Sequence, residues 1–238
     1  HGRRKPIVDG SRSPTLKVRA MGPLACFTRP ELKVERMSYA VMTPSAARGL
    51  LEAVLWKPAI AWHVERIHVL KPIKFTAFRR NEVNTKASVP KRTIVENGGP
   101  APIYFADEDR AQRNTVALSD VDYVIEAHFT MTDRTGSEDN PYKFIDMFRR
   151  RVEKGQHFHQ PYFGCREFAA DVLTADGAPE AIDDTRNLGS MLWDIVYSEE
   201  RNVPVFFDAF LWKGILDVPE DPILSRGIGE MESGGDAS

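Results

Sequence analysis

The chain has 238 residues, 42% of them hydrophobic, and a formal net charge of −2 at pH 7, enough apolar material for one large domain or a domain with a small appendage. No run approaches the roughly 18 uncharged apolar residues of a membrane span, and no apolar segment follows the basic start, so neither a spanning helix nor a secretory leader is expected and a cytoplasmic setting is. The two cysteines, Cys26 and Cys165, lie far apart in a protein of ordinary core size, which argues for reduced, buried thiols rather than a disulfide scaffold.

The small net charge conceals an asymmetry. Up to position 113 there are 21 basic and 10 acidic residues, and beyond it 11 and 24. A basic half on an acidic chain is the electrostatic footprint of a polyanion-binding surface, with a plain solvated face as the alternative.

Residues 1–14 read as a disordered start or tag remnant. Thr15 to Met21 alternates, with Leu16, Val18 and Ala20 on one face and Lys17 and Arg19 on the other, the pattern of a half-buried strand with a cationic open face. A loop from Phe27 to Val41 follows, in which Phe27 and Tyr39 are interleaved with Arg29, Lys33 and Arg36. Thr43 and Pro44 supply an N-cap and N1 for a helix running to about Trp56, and Pro58 ends it. Its stripe is Ala47, Leu50, Leu51, Val54 and Leu55, with Arg48 and Glu52 outside as an i,i+4 pair.

Trp62 to Leu70 alternates again if one irregularity is allowed, and Pro72 to Phe78 is extended. Arg79 to Arg113 is polar and basic, and Pro90, Gly98, Gly99, Pro100 and Pro102 break it, which predicts a long mobile insertion. Val116 to Met131 is a strand with Val121, Tyr123, Ile125 and Ala127 on one face. A second helix is signalled by Asn140 as N-cap, Pro141 at N1, a stripe of Phe144, Ile145, Phe148 and Val152, and Gly155 at C′. Arg149, Arg150, Arg151 and Lys154 at its end complement the macrodipole without a ligand.

Gly164 to Leu173 offers another strand. Leu188 to Ser198 and Val205 to Leu216 read as a hairpin of a small C-terminal antiparallel β subdomain, 174–224. Residues 225–238 form a disordered tail. The order strand, helix, two strands, helix, strand over 15–173 is that of a ferredoxin-like (RRM-like) α+β domain with one sheet face free.

Aromatics interleaved with cations beside such a sheet suit single-stranded RNA, since bases stack on rings and phosphates meet guanidinium groups. The residues nominated for RNA are Lys17, Arg19, Arg29, Lys33, Arg36 and Arg48, together with Arg79, Arg80, Lys86, Lys91 and Arg92 of the insertion, which suit a nucleic-acid backbone. His157, Phe158 and His159 have no carboxylate or cysteine at zinc spacing, so no metal site is expected. The absence of a Gly-rich phosphate loop, G-x-S-x-G and H-E-x-x-H disfavours nucleotide hydrolysis, serine-hydrolase and zincin chemistry.

Six ordered segments, CFTRPELKVERMSY, TPSAARGLLEAVLWKP, HVLKPIKFTAFRRNEVN, ALSDVDYVIEAHF, PYFGCREFAADV and LGSMLWDIVY, together resemble the CRISPR-associated proteins of the fifth family, subtype I-C (Dvulg), a RAMP-type group. The resemblance implies a ferredoxin-like domain with a C-terminal β extension. It also implies a metal-independent, cofactor-free endoribonuclease that cuts precursor CRISPR RNA at the repeat hairpin and then stays, with other subunits, in the crRNA-guided complex. In that chemistry the 2′-hydroxyl attacks the adjacent phosphorus, leaving a 2′,3′-cyclic phosphate, and the protein positions the hydroxyl, stabilises phosphorane charge and protonates the leaving oxygen.

The family is credited with a Tyr, a Lys and a His in these roles. Tyr39 matches the tyrosine. Where the Lys-His pair is expected, this chain reads Arg110-Ala111-Gln112-Arg113-Asn114. Arg113 can meet phosphorane charge, yet neither Gln112 nor Asn114 titrates near neutrality. Either cleavage rests on positioning and charge, or another histidine serves, or cleavage is weak. The alternative reading is a non-catalytic subunit that holds the crRNA 5′ handle and touches double-stranded DNA through its basic loop.

Overall fold

The computed structural model describes residues 12–32, 35–83, 110–196 and 202–222. In chain order the elements are β1 (Leu16–Ala25), β2 (Arg36–Met37), α1 (Pro44–Val54), β3 (Ile60–Val69), β4 (Phe75–Val83), β5 (Arg110–Met131), α2 (Pro141–Glu153), β6 (Asp171–Thr174), β7 (Arg186–Val196), β8 (Val203–Trp212) and β9 (Ile215–Asp217). Among the described residues the architecture is α+β: two helices and a largely antiparallel nine-stranded sheet ordered β6-β1-β5-β3-β9-β8-β7, with β2 and β4 pairing off this path with β5.

The 22-residue β5 organises the molecule. Its second half lies between β1 and β3, with Val18 opposite Ile125 and Ile67 opposite Ile125 on the other side. Its first half pairs with β4 and, in parallel, with β2. Between the halves Asp120 takes a left-handed conformation (φ 54), which aspartate tolerates better than most residues, and its carboxylate meets Lys71 at 2.6 Å.

Both helices begin where the caps predict. The Thr43 hydroxyl accepts from the Ala46 amide, and the Asn140 side chain from the Lys143 amide. Gly155 (φ +60) ends the second helix region. Their stripes bury against the odd-numbered face of β5: Phe148 lies 4.9 Å from Trp62 and Phe144 lies 6.3 Å from Phe129, centroid to centroid. The Trp62 indole N–H donates to the Leu55 carbonyl at the end of α1. The irregularity expected in the third strand is a bulge between Val64 and Arg66. It restores alternation, so that Trp62, Ile67 and Val69 are all buried.

Four expectations are corrected. The segment 79–113 is not loop throughout, since Arg79–Val83 and Arg110–Asn114 are paired strands; the nominated Lys86, Lys91 and Arg92 lie outside the described residues. Gly164 to Ala170 does not join the sheet, because Gly164 (φ +77) turns the chain against the Cys26 carbonyl, and only Asp171–Thr174 pairs with β1. The last predicted strand is two strands. Lys213 and Gly214, both at positive φ, make a two-residue turn between Trp212 and Ile215, the backbone that tight hairpins demand.

The fourth correction concerns the second sheet face, whose cations are matched by carboxylates rather than free. Asp122, Glu126 and His128 of β5 are buried there. Arg19 bonds Asp122 through two nitrogens at 2.9 and 2.6 Å, and Lys17 meets Glu126 at 2.6 Å. Glu65, at the bulge, accepts from His128 at 2.6 Å.

Candidate nucleic-acid interface

The β4–β5 arm and the loop around β2 form one surface. Arg36 pairs in register with Thr115, and the Ser38 amide donates to the Val116 carbonyl. That pairing carries the Phe27–Tyr39 loop alongside Arg113 and Asn114, bringing together the two segments nominated for chemistry. Arg80 stands directly across from Arg113 and Arg79 from Asn114. Opposed residues of an antiparallel pair share a face, so two arginines project side by side where like charges repel.

The segment after Gly164 balances Arg80 and its neighbour Arg36. Glu167 forms ion pairs with Arg80 and, at 3.8 Å, with Arg36. Its own backbone amide, then Arg80 and Arg36, hold the Glu167 carboxyl below the ordinary glutamate range. Arg80 lies over the Phe168 ring, which packs edge-on against Phe78. Arg36 also approaches the Cys165 sulfur at 3.4 Å. The neighbouring Cys26 thiol, then Arg36, make Cys165 the more acidic of the two cysteines. The structure thus brings together two thiols that lie far apart in sequence, and both are free.

Several donors here are buried without a hydrogen-bond acceptor: Nη1 of Arg80, Nε of Arg29 and the Thr115 hydroxyl. Desolvated donors without partners are costly, and cationic ones suit the oxygens of a phosphate. Asn114 donates to Glu35 at 3.1 Å.

Tyr39 is 1% exposed. Its ring lies under Arg29, whose guanidinium is 4.6 Å from the centroid, and its hydroxyl bonds the Leu192 backbone of β7. Burial, with Glu31 nearby, raises its pKa despite Arg29, so the phenol stays protonated at neutral pH. Phe27 is also core, stacked edge-on against Tyr123 and Phe163.

The other nominees lie elsewhere. Arg48 is engaged by Glu52 and by Asp194 of β7, each at 2.8 Å, and so ties α1 to the C-terminal strands. Lys17 and Arg19 are neutralised on the second face as described. Lys33 lies outside the described residues. Glu35, Cys165, Glu167 and Phe168 went unrecognised as parts of this surface. The segment PYFGCREF held the signal: a Gly that demands positive φ beside a cysteine and alternating charges marks a turn, not a strand.

Among the described residues, no three His, Cys, Asp or Glu side chains converge as a metal-ligand set, and no helix is long and apolar enough to cross a membrane.

The model of the CRISPR-associated protein family Cas_Cas5d matches residues 15–216. A "CRISPR pre-crRNA endoribonuclease Cas5d" of Mannheimia succiniciproducens is 47% identical over 213 residues, covering 86% of this chain and 94% of that protein. One of the same name from Thermus thermophilus is 38% identical over 224 residues, covering 87% and 92%. Among solved structures, one of a CRISPR-associated protein aligns with TM-score 0.64 at 22% identity over 89% of this chain and 95% of that one. A functionally uncharacterized protein, SMU1763c from Streptococcus mutans, aligns at 0.63 and 19% identity over the same shares. At these identities the structures speak for the fold.

Proposed function

From the premise that the chain belongs to the Cas5d family of CRISPR-associated proteins, we propose that it is a pre-crRNA endoribonuclease acting at the repeat hairpin without a metal and remaining afterwards in a crRNA-guided complex. The observation that carries this reading within the molecule is the juxtaposition of the Tyr39 loop with Arg113 through the β2–β5 pairing. RNA lies along the arm. Arg113 and Arg80 receive the charge that develops on the phosphorane, and the Asn114 amide orients the RNA. The Tyr39 phenol meets the attacking 2′-hydroxyl once its hydroxyl leaves the Leu192 backbone and Arg29 leaves its ring, and it acts as a hydrogen-bonding group rather than a base.

The fold is read as ferredoxin-like over residues 15–173, with β7–β9 as a C-terminal extension. Support comes from the order β6-β1-β5-β3, which is fourth-first-third-second for the four strands of a βαββαβ unit with both helices on one face.

A second reading, a non-catalytic subunit holding the 5′ handle and touching duplex DNA through the basic arm, is favoured by two observations. The arm presents no histidine at 110–114, and the tyrosine is buried. Purified protein in excess over repeat RNA in EDTA separates the two. Cleavage to a 2′,3′-cyclic phosphate is expected, and Arg113→Ala slows it at least about tenfold, in line with loss of one transition-state donor. Tight, salt-sensitive binding without product would instead establish the second reading.

A further inference from the structure

At the C-terminal ends of α1 and α2, four rings form a continuous exposed series. Trp56 and Phe158 are 50% and 60% exposed, with centroids 5.9 Å apart. Phe158 continues to His159 at 5.8 Å, and His159 to the half-buried Tyr162 at 6.4 Å with planes inclined by only 27°. The backbone placement has a structural cause: the Phe158 and His159 amides donate to the Ala53 carbonyl and the Arg151 guanidinium to that of Val54, capping α1. That cause does not require large rings to face water, and a contiguous exposed apolar patch marks an interaction surface.

The surroundings specify the occupant. From Arg149 to Gln160 the chain carries four cations and one carboxylate, with His157 and His159 besides. Arg149, Arg150 and Lys154 are exposed on the last turns of α2. A hollow of about 340 Å³ opens next to this segment, where Arg151, Gln156, His157, Gln160 and Asp171 meet an apolar wall that includes Val54, Val152 and Leu173. Rings next to the exposed cations that end α2 suit stacked bases with a phosphate backbone. The segment that bears the rings also goes on from Tyr162 to supply Cys165, Glu167 and Phe168 to the arm, so one stretch of chain serves both places.

We propose that this shelf is a second RNA contact, on which Trp56, Phe158 and His159 stack unpaired nucleotides flanking the repeat hairpin while the end of α2 holds their phosphates. The proposal rests on the RNA-processing reading and adds a specificity determinant to it.

The test compares a repeat RNA bearing single-stranded flanks with the stem-loop alone, using full-length protein. Trp56→Ala/Phe158→Ala is expected to weaken binding of the flanked RNA about tenfold or more and to leave the stem-loop unchanged. Trp56→Phe/Phe158→Tyr, which keeps the rings, retains the wild-type preference. Arg150→Glu/Lys154→Glu, confined to exposed positions, weakens the flanked RNA selectively and flattens its salt dependence. Equal affinity of all variants for both RNAs overturns the shelf, as does equal loss on both. Unchanged RNA binding with lost assembly into the larger complex also overturns it and assigns the rings to a protein partner. If the wild-type protein binds neither RNA, the RNA-processing reading itself falls, a failure distinct from that of the shelf.

Discussion

Tyr39 holds two positions at once in this molecule. Its motif nominates it for chemistry, while its packing makes it a strut between the β2 loop and β7 through Leu192. Tyr39→Phe keeps the ring but removes the hydroxyl, and with it the bond to Leu192, so rate and stability read the two roles separately. Single-turnover cleavage is expected to fall at least about a hundredfold, within the range of a positioned proton-transfer or hydrogen-bonding group, with RNA affinity unchanged and stability lowered by about 1–2 kcal/mol. An unaltered rate would make Tyr39 purely structural. Because burial raises the phenol's pKa and no histidine stands at 110–114, the wild-type rate should lack the acidic limb that a histidine titrating near 6.5 imposes. A bell-shaped profile centred near neutrality would show that another histidine has entered the site.

At the level of elements, the decisive piece is the turn after Phe163. A β-carbon at Gly164 would overlap the Cys26 carbonyl oxygen, and its φ of +77 disfavours any other residue. That close approach sets Cys165, Glu167 and Phe168 against the arm, where they balance Arg36 and Arg80. Gly164→Ala is therefore expected to cost about 3 kcal/mol or more in urea denaturation and to weaken RNA binding through the displaced arginines. A cost below about 1 kcal/mol would contradict the geometry. The arm itself was half legible: Phe75 to Phe78 read as extended, whereas Arg79–Val83 and Arg110–Asn114 carry too many polar residues to show a hydrophobic period. Their strand state comes from cross-strand hydrogen bonds, which no local pattern reports.

Across the whole molecule, buried charge on the second sheet face sets the response to pH. Burial lowers the His128 pKa below 6.5 although Glu65 accepts its proton, so the folded protein binds this proton less readily than the unfolded chain. The resulting stability is present above about pH 6.5 and is lost as the pH falls below it. Glu65, Glu126 and Glu167 are likewise held below their ordinary 4.5, and their contribution is lost at still lower pH. The melting temperature should thus fall as the pH drops below about 6.5, and His128→Asn should remove the first part of that decline. A wild-type melting temperature that rises on acidification from about pH 6.5 would refute this account.

The amino-acid sequence by itself determined the helices and the core strands. Thr43-Pro44 and Asn140-Pro141 fix helix starts through local hydrogen bonding, and periodic apolar residues choose the buried face whatever the partner. It also determined the family, through six ordered motifs. Only the tertiary structure decided where the charges go. Lys17 and Arg19, cationic in their own strand, are neutralised by Glu126 and Asp122, more than a hundred residues away. Arg80, Arg113 and Arg36 are gathered by pairings between distant strands, and Tyr39 is closed over by Arg29 and β7. A side chain's period is local, whereas the charge it meets depends on which strands lie beside it, and that is settled only when the chain folds.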